Sequence, residues 1–140
     1  MLQPKKTKFR KQQKGRVKGL DVRGSELSFG SYGIKAIGQG QVSAKQIENI
    51  RVIISKNLGK TGKMWIKIFP DRPVTRKGNG VRMGSGKGNV EFWAAVVRPG
   101  KIMFEIDGIE AMTAKRVAGL IDDKLTMPIK LVTRPDMRII

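Results

Sequence analysis

The chain has 140 residues, of which 39% are hydrophobic, and carries 29 Lys and Arg against 11 Asp and Glu, a formal net charge of +18. That length holds one domain, and the charge asks for a polyanionic partner, since each neutralised phosphate releases a condensed counterion while an unpartnered excess repels itself. Cysteine and histidine are absent, which removes Cys and His metal sites, thiol nucleophiles, disulfides and histidine general bases. No apolar run reaches the roughly 18 residues of a membrane span. No basic stretch carries an apolar face at helical spacing, so a membrane partner is not expected. The N-terminus, MLQPKKTKFRK, has no apolar segment of the kind a secretory signal needs.

Residues 1–24 form a basic extension. Lys5, Lys6, Lys8, Arg10, Lys11, Lys14, Arg16, Lys18 and Arg23 face a single acid, Asp21. Apolar residues are too sparse to build a core there, so the segment is expected to order on its partner, as a nucleic-acid-binding arm would. Ser25 to Gly40 follows, with Leu27, Phe29, Tyr32, Ile34 and Ile37 among glycines. The pattern predicts two short strands with turns or bulges at Gly30, Gly33 and Gly38.

Ser43 and Gln46 make the S-x-x-Q signature of a helix start. Ile47, Ile50, Ile54 and Leu58 recur at helical spacing and should face the core, with Gly59 placed to end the helix in a left-handed cap. Arg51, Ser55 and Lys56 lie off that stripe, free to meet solvent or RNA. Lys63 to Phe69 predicts a strand, ended by Pro70 and Pro73. Val74 to Asn89 is then a loop too long for an ordinary connection. Asn89 to Val97 and Lys101 to Asp107 read as a hairpin, joined through Arg98-Pro99-Gly100-Lys101 in a type II turn. Thr113 is expected to cap a second helix that buries Ala114, Val117, Ala118, Ile121 and Leu125. Pro128 limits that helix, Ile129 to Thr133 is a last strand, and residues 134–140 are a tail. The fold class is α+β, with two helices packed on a mostly antiparallel or mixed sheet. The body is residues 25–133, carrying the long basic loop 74–89.

The loop PVTRKGNGVRMGSGKGN concentrates Arg76, Lys77, Arg82 and Lys87 with Gly78, Gly80, Gly84, Gly86 and Gly88, and no acid lies between Asp71 and Glu91. Glycines let a backbone approach a ligand and turn N–H groups toward phosphate oxygens. Nucleotide-binding motifs fail on inspection. Gly86-Lys87 is followed by Gly88 instead of Ser or Thr, and Met83 sits where a dinucleotide fingerprint needs its third glycine. The loop suits a large polyanion better than one small phosphate ligand, and no cofactor is expected. An enzyme needs a convergent acid–base set. Asp122 and Asp123 are helix neighbours that diverge, while Glu105 and Asp107 share a strand face that reads as solvated. Trp65, Trp93, Phe69, Phe92 and Phe104 fall on predicted strands, where core packing is the commoner role and base stacking the alternative.

Several ordered segments carry a resemblance. MLQPKKTKFRK, LSFGSYGIKAIGQGQVSAKQIENIR, WIKIFPDRPVT, VRMGSGKGN followed by VEFW, and RPGKIMFEIDG are similar to the bacterial-type large-subunit ribosomal protein L-sixteen family, from Met1 to about Thr133. The resemblance implies a structural, non-enzymatic protein bound to large-subunit rRNA near the aminoacyl-tRNA site. Its partners would be that rRNA, 5S rRNA, aminoacyl-site tRNA and neighbouring large-subunit proteins. Its place would be the ribosome of the bacterial cytoplasm or of a mitochondrial or plastid matrix. The loop positions Arg76, Lys77, Gly80, Arg82, Met83, Gly84, Gly86 and Lys87 would contact rRNA and tRNA. Arg82 matches an arginine hydroxylated in some bacteria, and Arg51 matches the family's first-helix arginine. The loop departs from many members in having Lys77-Gly78-Asn79-Gly80 in place of a Lys-Pro pair. It also has Ser85 where many have a lysine. The competing reading of a free nucleic-acid chaperone shares the charge but needs no particle.

Overall fold

Helix α1 (Ala44–Leu58) begins where the sequence places it. The Ser43 hydroxyl accepts from the Gln46 backbone N–H at 3.2 Å, and the Ser43 N–H donates to the Gln46 side-chain oxygen at 2.9 Å. Ile47, Ile50 and Ile54 are fully buried and Leu58 partly so, each full burial contributing about 1.5–3 kcal/mol before entropy is subtracted. Gly59 ends the helix at φ 65°, ψ −162°, a positive φ but not the left-handed helical conformation expected.

The computed structural model describes residues 1–135, so most of the C-terminal tail expected at 134–140 lies outside the described residues. Around α1 run β1 (Tyr32–Ala36), β2 (Gly40–Ser43), β3 (Lys63–Ile66), β4 (Arg72–Arg76), β5 (Asn89–Val97), β6 (Ile102–Asp107), α2 (Ala111–Asp122) and β7 (Ile129–Thr133). They form two antiparallel sheets, ordered β3-β6-β1-β7 and β2-β5-β4. The α+β class holds, with two sheets in place of one. The helices pack against each other, α1 also against β2, β3 and β5 and so against both sheets, and α2 against β7. The core runs between them through Ile34, Val42, Ile50, Val97, Phe104, Val117 and Ile121.

Four expectations about where elements begin, end and pair also change. The segment Asn89–Asp107 is not a hairpin. The Arg98–Lys101 turn forms, with Lys101 N–H donating to the Arg98 carbonyl at 3.3 Å and Gly100 at φ 96°, as a type II turn requires. Yet it carries the chain from one sheet to the other. Both flanks of β5 are taken by β2 and β4, and both flanks of β6 by β1 and β3. Secondly, residues 72–76 are a strand. Pro73, expected to terminate pairing, sits in β4 opposite Trp93, which an edge strand tolerates because its outer N–H positions need no partner. The exposed loop is therefore 77–88. Thirdly, α2 starts from Glu110 without a side-chain cap, and Thr113 lies inside its first turn. The buried stripe of Ala114, Val117 and Ile121 fixes this helix, which outweighs a cap worth about 1 kcal/mol. Lastly, strand β1 starts only at Tyr32. Leu27 and Phe29 belong to a strap of irregular chain, residues 25–31, that crosses the outer face of the β6–β1 pair.

Glu105 holds that strap. Expected on a solvated face, it is 0% exposed, and its carboxylate accepts the backbone N–H groups of Ser28 at 3.1 Å, Phe29 at 2.6 Å and Gly30 at 2.8 Å. Lys67 Nζ stands 3.6 Å away. Burial pushes the Glu105 carboxyl up, but the donated N–H groups and the Lys67 charge together outweigh it and hold the group below the ordinary carboxylate range. The strap approaches so closely that a Cβ on Gly30 would lie 2.7 Å from the Ile106 carbonyl oxygen. Asp107, on the same strand, accepts from the Ser31 hydroxyl at 2.5 Å. That bond, more than any charge, holds its carboxyl below the usual value.

Candidate nucleic-acid interface

The basic extension has no helix or strand, and it lies along the body by polar tethers. The Arg72 guanidinium of β4 donates to the carbonyl oxygens of Gln13, at 2.6 Å, and Lys14. Asp21 N–H donates to the Pro99 carbonyl at 2.9 Å, and Gly24 accepts from Ile102 N–H at 2.9 Å. Lys35 Nζ reaches the Ser25 carbonyl at 3.2 Å. These tethers use backbone groups of the extension and leave its own cations outward. Lys5, Lys6, Lys8, Arg10, Lys14, Arg16, Lys18 and Arg23 are exposed, and Lys11 is half-buried.

Loop 77–88 meets this arm. Lys11 Nζ donates to the Lys87 carbonyl at 3.0 Å, which draws together cationic segments far apart in sequence. Such an approach of like charges costs Coulomb energy in water and is recovered only against a polyanion. Between arm and loop a groove of about 390 Å³ is lined by Gln13, Lys14, Gln41, Arg72, Thr75 and Lys87, among others, and by no acid. Its cations and amides match phosphate and sugar oxygens in chemistry.

The loop folds on itself sparingly. Lys77 Nζ donates to the Gly84 carbonyl at 2.6 Å and Val81 N–H to the Gly78 carbonyl at 3.3 Å. Gly80, Gly84 and Gly86 all take positive φ, and so does Ser85 at 59°. Each is exposed, as are Val81, Arg82, Met83 and Lys87, with Met83 at 94%. Arg82 and Met83 thus stand at the tip of a backbone with few fixed contacts.

The remaining candidate residues divide. Among the described residues the ion pairs are Glu48–Arg51 at 2.6 Å, Glu91–Arg76 at 3.6 Å and Glu105–Lys67. Arg51 is thus already engaged. Its guanidinium hydrogen-bonds Glu48, which lowers the Glu48 carboxyl and raises Arg51. Arg76 holds a weaker, exposed pair of the kind worth little in water. Lys56 is exposed near the end of α1, apart in the chain from arm and loop. Arg72 is a residue that sequence reasoning passed over. Its signal was the alternation R-P-V-T-R of an edge strand, hidden by the proline. The strand aromatics also sort differently from expectation. Phe104 is core, Trp65 and Trp93 are half-buried, and Phe69 and Phe92 are exposed.

Among the described residues no cluster of three or more His, Cys, Asp or Glu could hold a metal, and no helix is long and apolar enough to cross a membrane. The family described as ribosomal protein L16p/L10e matches residues 4–132. A large ribosomal subunit protein uL16 of Xanthomonas oryzae pv. oryzae (strain PXO99A) is 52% identical over 134 residues, covering 96% of this chain and 98% of the relative. One from Christiangramia forsetii is 53% identical over 136 residues, covering 97% and 98%. The match takes in the arm, the loop and all the strands but the last residue of β7. Matched over nearly its whole length, this chain belongs to the ribosomal protein L16p/L10e family.

Proposed function

We propose that the chain is a structural constituent of the large ribosomal subunit, binding large-subunit rRNA through its arm and groove and presenting loop 77–88 to the acceptor arm of aminoacyl-site tRNA. The observation that carries this reading is the junction of arm and loop at Lys11 and Lys87, an acid-free surface built from two cationic segments. The body supplies position and the cations supply affinity. Phosphate contacts fix register on folded RNA without reading sequence. The role is structural and not enzymatic, in keeping with a ribosomal-protein family. Neighbouring large-subunit proteins and 5S rRNA are further partners in this reading. With relatives from bacteria, the ribosome is the bacterial cytoplasmic one. Arg82, at the exposed loop tip, is the residue proposed to face tRNA, and hydroxylation there is read directly from the mass of its peptide.

Sedimentation of the tagged chain in cell extract, with and without RNase, tests the reading. Migration with the large subunit through moderate salt, and release by RNase, is expected. A chain that stays at the top of the gradient, or spreads over all nucleic acid, overturns it in favour of a general nucleic-acid binder.

A further inference from the structure

One exposed aromatic ring is held unusually firmly. Phe29 is 57% exposed, yet its backbone N–H is bound to the buried Glu105 carboxylate at 2.6 Å, with the amides on either side bound to the same group. The ring lies against Trp65, centroids 5.7 Å apart and planes 22° from parallel. Lys67 Nζ lies 4.6 Å from its centroid. Trp65 and Lys67 are two apart on extended chain, so they share one face, and Phe29 lies across both. One side of the ring is thereby covered and the remainder is presented to solvent. A scattered exposed aromatic is ordinary. A ring immobilised by its neighbours has already lost the freedom that binding would otherwise cost.

The surroundings are cationic. Lys63 stands two residues before Trp65 on the same face of β3 and is exposed. Arg134 donates to the Ser28 carbonyl at 3.3 Å, beside the ring. Of the acids on the strap and on β6, Glu105 is buried under three N–H groups and Asp107 accepts from Ser31, while Glu26, three residues before Phe29, is exposed. A half-exposed ring with cations in its surroundings fits an unpaired nucleobase with its phosphates, since single-stranded RNA is held by stacking on aromatics and by charge along its backbone. A protein neighbour would need an apolar or acidic complement, and nothing around the ring favours it over RNA.

We infer that Phe29, backed by Trp65 and Lys67, is a stacking platform for one unpaired base of the large-subunit rRNA, on a face separate from the arm–loop groove. This rests on the ribosomal reading above, and it adds a base contact to a surface otherwise made of phosphate contacts.

The test is the affinity of the full chain for deproteinised large-subunit rRNA at several salt concentrations. Phe29→Ala and Phe29→Leu should each weaken binding by about 5-fold or more, the lower end of a lost stacking contact. Phe29→Tyr should bind as the unaltered chain does. The slope of affinity against salt should stay the same, because no phosphate contact is removed. Thermal unfolding of the leucine variant shows that the strap remains docked. Leucine binding as well as phenylalanine would reduce the ring to apolar packing and overturn the inference, as would an unaffected alanine variant or an altered salt slope. Normal rRNA affinity with lost incorporation into the subunit would assign the ring to a protein neighbour, which also overturns it. If the unaltered chain fails to bind this rRNA, the ribosomal reading itself falls, a result distinct from all of these.

Discussion

Strap 25–31 and loop 77–88 are both irregular, glycine-bearing segments that leave the sheets, and they are held in opposite ways. The strap is fixed by a buried carboxylate accepting three backbone N–H groups, with a lysine beside it. The loop has a lysine–carbonyl bond, a weak turn and a lysine from the arm. Charge-assisted bonds in a buried site are about twice as strong as neutral ones and are not screened by water. Exposed lysine bonds trade one solvated state for another. The same chain thus contains one irregular segment that behaves as body and one that can yield to a ligand. Sequence pattern does not reveal this contrast, because Leu27 and Phe29 predict a strand where the strap lies and the carboxylate that fixes it is far away in the chain.

Removing the strap's anchor should give the largest effect. Glu105→Ala strips the acceptor from three N–H groups, at a cost of about 3 kcal/mol or more, read from the shift of the urea unfolding midpoint. Hydrogen exchange at the Phe29 and Gly30 amides should accelerate beyond that of the sheet. A loss under 1 kcal/mol would mean that the strap is held by side-chain packing and that the contrast with the loop is wrong. The pH dependence sharpens the same point. Glu105 and Asp107 bind a proton more weakly folded than unfolded. Their stabilisation is complete above the ordinary carboxylate values of about 4. It is lost as pH falls below that range through the lowered folded values. Glu105→Gln should flatten this acid limb of stability against pH, and an unchanged limb would leave Asp107 and other groups responsible.

A paired glycine substitution probes the contrast next. At Gly30 a Cβ would sit 2.7 Å from the oxygen and 2.9 Å from the nitrogen of Ile106, backbone atoms fixed in the sheet. Gly30→Ala should destabilise by about 1–3 kcal/mol, as overpacking does. At Gly78 the nearest contact is a Val81 methyl at 3.5 Å, an ordinary distance. Gly78→Ala should leave stability level or raise it slightly by restricting the unfolded chain. Equal losses at the two sites would show that the loop is as constrained as the strap.

Much of the molecule was legible because its signals are local. The α1 capping box, the Ile47–Ile50–Ile54 stripe, the Pro99-Gly100 turn and the cationic loop each need only neighbouring residues to be recognised. What was not legible depends on distant partners. The sheet change at Pro99-Gly100 is invisible because β5 and β6 look alike whether they pair with each other or with others. β4 was hidden because a proline is forbidden in a central strand and allowed at an edge, and edge position is a property of the whole sheet. Glu105 read as solvated because strand alternation put it opposite the core, and only the strap, arriving from residues 25–31, buries it. Phe29 was read as part of a short strand because nothing nearby in the sequence signals the strap.

The smallest structural effect should come with the most specific functional one. Arg82 is exposed at the loop tip and forms no ion pair among the described residues. Arg82→Ala should therefore leave the unfolding midpoint unchanged within about 0.5 kcal/mol, as surface substitutions do. Incorporation into the subunit should also be unchanged, since arm and groove remain. Binding of aminoacyl-tRNA to assembled ribosomes should weaken by about tenfold or more, the loss of one charge-assisted contact to phosphate being worth about 1.5 kcal/mol or more. Arg82→Lys separates geometry from charge. A guanidinium clamping a phosphate in two places is not replaced by an ammonium, so lysine would restore only part of the affinity. Full restoration would make Arg82 a diffuse charge in the field of the loop. Equal tRNA binding by the alanine variant would remove the loop tip from the tRNA contact altogether and leave the open loop as another rRNA anchor. The strap and the loop would then differ in how they are held but not in the kind of partner they serve.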